Sequence, residues 1–170
     1  MNKWTEERIK ERCIEYCGRC FVSFDVPVVI NKRIKRTLGR CFIKRTDLAA
    51  RPYKIEIAQF LLDNATDESI EAVIAHECAH YIAAVITPSS QGHDKIFKSI
   101  CKQIGTTNDG ASYSDIEWAT TPDKMYKYSF YCKKCGEFIC GRSRKCHSVT
   151  HPEFYMSPCC DAEIEVKQNW

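Results

Sequence analysis

Apolar positions recur every three to four residues in three stretches of the chain and alternate in others, which predicts an α+β fold. From Thr5 to about Cys20, Ile9, Cys13, Cys17 and Cys20 share one helical face. Thr5 suits the cap there, and Glu6 and Glu7 suit the first turn. The longest pattern runs from Asp67 to Ile86, with Ile70, Val73, Ile74, Tyr81, Ile82 and Val85 as its packing face. Thr66 can cap it, and Pro88 ends it. Such a helix spans roughly 30 Å and is expected to run through the centre of its domain. A third helix is predicted from His93 to Ile104, with Ile96, Phe97, Ile100, Cys101 and Ile104 as its stripe and Gly105 as its stop.

Strand patterns lie between the first two helices. Phe24 to Ile30 is rich in Val and aromatic residues, Arg36 to Ile43 follows, and Tyr53-Lys54-Ile55-Glu56-Ile57 alternates. Three short strands on loops of this length predict a small antiparallel sheet. Gly39, in Leu38-Gly39-Arg40, suits a bulge, a close backbone approach or a turn with positive φ. Thr106 to Lys124 is polar and reads as loop, and a Cys-rich tail begins near Tyr131.

Composition narrows the class. The 170 residues are 44% hydrophobic and 28% charged, which suits one medium domain or a domain with a small module. No apolar run approaches the roughly 20 residues that span a bilayer. The first residues lack the apolar stretch of a signal peptide. A non-secreted, cytoplasmic protein is expected, or one associated with a nucleoid or nucleus, with no membrane partner. Twelve Cys in that setting point to metal binding or packing rather than a disulfide framework. Cys17-Gly18-Arg19-Cys20 has C-x2-C spacing, but on a helical stripe it reads as small apolar side chains.

The net charge of +3 is unevenly placed. Lys32, Arg33, Lys35, Arg36, Arg40, Lys44, Arg45 and Arg51 face a single acid, Asp47. Two readings stand: a solvated sheet edge protected by charge, or a surface that binds nucleic acid.

The chemistry concentrates at His76-Glu77-Cys78-Ala79-His80. On a helix, residues four apart share a face, so both imidazoles can reach one zinc ion with a carboxylate beside the first. A catalytic zinc takes three protein ligands and keeps a position for water. Position 86 is Ile, which excludes the pattern H-E-x-x-H-x-x-G-x-x-H. His93, after Gly92 at the start of the next helix, is the natural third ligand. The expected chemistry is hydrolysis: the metal acidifies a water, and Glu77 takes its proton and later delivers it to the leaving amine. Tyr113 is one of several tyrosines that could assist, and the sequence does not choose among them.

These residues resemble the SprT-like family, which includes the Spartan proteases. The likeness is carried by Tyr53-Lys54-Ile55-Glu56-Ile57, by Ile74-Ala75-His76-Glu77-Cys78-Ala79-His80-Tyr81, by Gly92-His93-Asp94 and by the basic stretch Val28 to Cys41. It implies a zincin-like metallopeptidase core with zinc on His76, His80 and His93, and Glu77 as base. A zinc ribbon after the protease domain is also common in the family, so residues 1–122 and 123–170 are expected as two domains. Spartan members cleave proteins crosslinked to DNA and need DNA to be active; here that substrate is implied by resemblance alone.

Cys132-Lys133-Lys134-Cys135-Gly136 has the form of a zinc knuckle. Family ribbons tend to close with a second C-x2-C after a Tyr. In Tyr155-Met156-Ser157-Pro158-Cys159-Cys160, Met156 stands where a Cys is expected. Cys132, Cys135, Cys159 and Cys160 are the expected ligands of a structural zinc, with Cys146 the first substitute and Cys140, His147 or His151 further ones. That makes two zinc ions, one catalytic and one structural. So short a tail holds no core unaided, and metal would supply its folding energy. Lys133, Lys134, Arg142, Arg144 and Lys145 add a second basic region. The leading expectation is a zinc endopeptidase, taken as a monomer, acting on DNA-associated proteins. Its competitors are a nucleic-acid-binding zinc protein whose zincin core is only a scaffold, and a small-peptide hydrolase without a nucleic-acid role.

Overall fold

The most apolar helical pattern forms the innermost element. Helix α3 (Asp67–Ile86) buries Ile70, Val73, Ile74, Cys78, Ala79, Ile82 and Ala83, so it is apolar around most of its circumference. Thr66 caps it by accepting from the Ser69 N–H at 3.4 Å. Among the described residues it is the one helix long and apolar enough to cross a membrane by length and composition, and 72% of that stretch is buried within the protein. The structure, a computed structural model, describes residues 3–34, 37–46, 49–87, 89, 92–106 and 116–170. Lys35, Arg36, Asp47, Pro88 and Tyr113 lie outside them. Contacts divide the chain into two compact units, Met1–Trp118 and Ala119–Trp170.

In the first unit, α1 (Glu6–Gly18) follows the predicted helix closely. Thr5 accepts from the Arg8 N–H at 3.2 Å, and Ile9, Cys13, Tyr16 and Cys17 are buried. Polar contacts fix α1 and its lead-in to the start of α3. The Trp4 indole N–H donates to Asp67 at 2.8 Å, Arg12 pairs with Glu71 at 2.8 Å, and the Tyr16 hydroxyl donates to Glu71 at 2.9 Å. Towards the other end of α3, the Tyr81 hydroxyl bonds to the Ser23 carbonyl at 3.0 Å and the Asp25 carboxylate at 2.9 Å. The helix is thus anchored on both sides of residues 76–80.

Strands β1 (Val28–Asn31), β2 (Gly39–Arg45) and β3 (Ala50–Ala58) form a sheet in the order β1-β3-β2. β2 runs antiparallel to β3, with Gly39 opposite Ile57, but β1 runs parallel to it, with Val28 opposite Ile55. The expected all-antiparallel sheet is therefore corrected to a mixed one. Alternation reports which face of a strand is buried, not its direction or its neighbours. β3 takes the centre because Ile55, Ile57 and Ala58 are wholly buried. The sheet's irregularity lies between Phe42 and Ile43, not at Gly39.

A short helix absent from the sequence reading, α2 (Gln59–Asn64), follows β3 and buries Leu61 and Leu62. Helix α4 (Lys95–Ile104) starts two residues later than predicted. The Asp94 carboxylate accepts from the Phe97 N–H at 2.9 Å, which leaves His93 in the turn before the helix. The helix ends at Gly105.

The second unit has more regular structure than a Cys-rich tail suggests. After the short helix α5 (Pro122–Met125), strands β4 (Tyr128–Cys132), β5 (Phe138–Arg142) and β6 (Ile164–Gln168) form an antiparallel sheet in the order β5-β4-β6. Between β5 and β6 lie a single helical turn, α6 (His147–Thr150), and a 3-10 turn at Pro152–Phe154. Its core is small: Tyr128, Phe130 and Ile164, with Ile139, Cys140, Val149 and Val166 packed around them.

Candidate metal centres

The helical spacing in α3 and the turn before α4 bring three imidazoles together. The Nε2 atoms of His76, His80 and His93 stand 3.2 Å from one another in all three pairings. Three nitrogens bound to one tetrahedral zinc at the usual distance stand about 3.3–3.4 Å apart. Three ring nitrogens cannot all satisfy one another at this spacing, because each neutral imidazole offers one donor and one acceptor. A cation satisfies all three lone pairs at once, so the residues fit a metal. Gly92 sits at φ 58, a conformation open to glycine, and its turn places His93 against the other two rings.

The surroundings favour the neutral form of two of these rings. Phe97 is wholly buried beneath them, with ring centroids 5.1, 4.4 and 4.7 Å from His76, His80 and His93. Burial, reinforced by His93, lowers the pKa of His76 to about 4. Burial, reinforced by His76, His93 and Arg45, lowers that of His80 to about 3. Both are therefore neutral near pH 7, the form that binds metal. The buried Nδ1 of His76 has no hydrogen-bond partner among the described residues.

Glu77 lies 6% exposed beside this cluster. Burial raises its pKa to about 8, opposed by the Cys41 backbone N–H, which donates to the carboxylate. Sequence reasoning missed that donor, as it missed Phe97 beneath the rings; main-chain donors and ring packing leave no composition signal.

The second cluster lies in Ala119–Trp170. The thiols of Cys132, Cys135, Cys159 and Cys160 lie within 4.8 Å of one another, with Cys135 and Cys159 at 3.6 Å. Tetrahedral zinc thiolates stand about 3.8 Å apart, so this set also fits a metal. Adjacent Cys159 and Cys160 both reach the cluster through a tight turn. In it, the Asp161 N–H donates to the Ser157 carbonyl, the Ser157 N–H donates to Ala162, and Asp161 sits at φ 49. Cys146 is not in the group; its thiol contacts Ser148 at 3.3 Å. Nor are Cys140, His147 or His151: His147 contacts Tyr155 at 3.2 Å, and His151 contacts Glu153 at 3.1 Å. Met156 is exposed, and its backbone bridges to Glu163.

Buried Ser157, not anticipated, donates to the Cys132 sulfur at 3.2 Å. That bond, with backbone N–H groups of the knuckle and the Cys135 thiol, lowers the Cys132 pKa to about 6. Crowding by the other thiols and desolvation push Cys160 up to about 12. Gathering thiols this closely makes a second thiolate beside the first unfavourable.

All twelve cysteines are free of disulfides. Cys13, Cys17 and Cys78 are buried in the core of the first unit, and Cys20 packs partly buried against it. Of the basic residues proposed to contact nucleic acid, Lys32, Arg33 and Arg40 are exposed, and Lys35 and Arg36 lie outside the described residues.

The first unit is thus an α+β fold whose innermost helix carries His76, His80 and a buried carboxyl, with His93 supplied by the turn before α4. The family model of the SprT-like family matches residues 7–120, and the chain belongs to that family. Among its relatives is the protein named "Protein SprT-like" of Staphylococcus aureus strain MRSA252, 25% identical over 134 residues, or 79% of this chain and 78% of the relative. Proteins of the same name from strains JH9 and Newman are 26% identical over 105 residues, covering 62% of this chain and 61% of theirs. No solved structure gives a significant match.

Proposed function

We propose that this SprT-like chain is a zinc-dependent endopeptidase with a zincin-like core and a C-terminal zinc ribbon, acting on proteins bound or crosslinked to DNA. One observation carries the reading: three imidazole nitrogens at mutual distances of 3.2 Å, with a buried carboxyl on the helix that supplies two of them. His76, His80 and His93 would hold the catalytic ion, and Cys132, Cys135, Cys159 and Cys160 a structural one. A zinc ion with an open position polarises a carbonyl and acidifies water.

The protein's own part is proton transfer at Glu77. Its carboxylate accepts a proton from the attacking water and delivers it to the leaving amine nitrogen. A carboxyl with a pKa of about 8 is mostly protonated at neutral pH and cannot act as a base. A dication on the adjacent histidines favours the charged form, so metal occupancy and base function are linked. The Cys41 N–H holds the carboxylate in place during both transfers.

DNA is proposed as the context of the substrate. Its support is the exposed Lys32, Arg33 and Arg40, the sequence run that adds Lys35 and Arg36, and the family resemblance. Intracellular work suits twelve free thiols. The test is incubation of the zinc-loaded full chain with a DNA-crosslinked protein and with the same protein uncrosslinked, each with and without added DNA. Cleavage confined to the crosslinked or DNA-supplemented arms is expected. Equal cleavage in all arms removes the DNA role, and DNA binding without cleavage favours the scaffold reading.

A further inference from the structure

We infer that Gly39 is a positioning residue for the general base: the space a side chain would fill at this position belongs to Glu77. A Cβ built on Gly39 lies 2.8 Å from Glu77 Cγ, 2.9 Å from Glu77 Oε1 and 3.0 Å from Val73 Cγ1. The first two are closer than non-bonded carbon and oxygen tolerate, and both atoms belong to the carboxyl arm. Gly39 has no positive φ, so its conformation is open to any residue and only the space demands glycine. It opens β2 and is held in register opposite Ile57 of central β3, so the strand cannot easily retreat. Two residues along the same strand, Cys41 donates its backbone N–H to the carboxylate. One strand thus limits the carboxyl arm sterically at residue 39 and tethers it by a hydrogen bond at residue 41.

This assignment rests on the proposed role of Glu77 as base, but its physical content, the coupling of residues 39 and 77, is measured without catalysis. Gly39→Ala displaces the Glu77 arm and breaks its bond to Cys41, while the histidines, whose ligand atoms lie elsewhere, keep their metal. In a double-mutant cycle on the metal-loaded full chain, Gly39→Ala is expected to lower Tm by about 5 °C in the wild-type background. In Glu77→Ala, which lacks the Cγ and Oε1 atoms, the loss is expected to shrink to at most about 2 °C, left by Val73. Equal losses in both backgrounds overturn the assignment. If Gly39→Ala folds only together with Glu77→Ala, the coupling is shown directly; if it folds in neither, the glycine is required by the strand and the assignment fails.

The second readout is kinetic. Gly39→Ala is expected to retain bound zinc and a KM within about twofold, while kcat falls about 10–100-fold through the misplaced base. Undiminished kcat overturns the positioning role. If the wild type cleaves nothing, the proteolytic reading fails, and the stability cycle alone decides whether Gly39 shapes the Glu77 arm.

Discussion

In the metal-free protein, Glu77 should leave a stability signature that comparison with Glu77→Gln isolates. In the unfolded chain this carboxyl titrates near its ordinary value of 4.5, whereas burial raises it to about 8 in the metal-free native state. Between those values the native state holds a proton that the unfolded state has released. Stability is therefore fully present below pH 4.5 and declines as pH rises towards 8, by about 1.4 kcal/mol per pH unit. His76 and His80 act in the opposite sense. Their native pKa values lie below the ordinary 6.5, so their contribution is full above 6.5 and is lost as pH falls through their native values. Glu77→Gln keeps the shape and the histidines and removes only the carboxyl titration. The assay is urea denaturation of both chelator-treated proteins from about pH 5.5 to about pH 8.5, followed by subtraction. The wild type is expected to lose about 3 kcal/mol relative to Glu77→Gln across that range. A pH-independent difference would refute the claim that burial keeps Glu77 protonated in the metal-free protein.

Three further outcomes follow from the same geometry. Phe97→Ala removes the wholly buried ring beneath the histidines and should cost about 3–5 kcal/mol in urea denaturation, with weaker zinc retention against a competing chelator. Cys132→Ser should reduce zinc by one ion per chain in elemental analysis. Because the second unit has so small a core, new protease-sensitive sites should appear within residues 119–170 and not in the first unit. Replacing Lys32, Arg33 and Arg40 together by Glu should weaken DNA binding and flatten its salt dependence, by about 0.9 in the log–log slope for each lost phosphate contact. Zinc content and Tm should be unchanged by that replacement, because all three side chains are exposed.

What the sequence made legible follows from which constraints are local. The placement of His76 and His80 on one face, with Glu77 beside the first, could be read directly, because residues four apart on a helix share a face. The cap at Thr66 and the stop at Gly105 are likewise local, and both match the structure. His93 was reachable by elimination, since Ile86 closed one alternative and few other histidines remained. The direction of β1 was not legible: a short apolar run reads the same whether it lies parallel or antiparallel to β3. Nor were the short helices α2 and α5, each under two turns and formed around Leu61, Leu62 and Met125. Gly39 stood out, but choosing among a bulge, a positive φ and a close approach needed the position of Glu77, contributed by a distant helix. In the tail, one C-x2-C was evident, whereas adjacent Cys159 and Cys160 cluster only through the hydrogen-bonded turn at Ser157 and Asp161.

His76, His80 and His93 are proposed to hold a metal, and Glu77 to move the proton beside it. The most direct measurement sets zinc-loaded wild type and Glu77→Gln side by side, recording zinc content and cleavage of a DNA-crosslinked protein. Equal zinc in both is expected, with cleavage by the wild type and a loss of cleavage of about 100-fold or more in Glu77→Gln. Cleavage by Glu77→Gln at the wild-type rate, with zinc bound, would contradict the proposed role of Glu77.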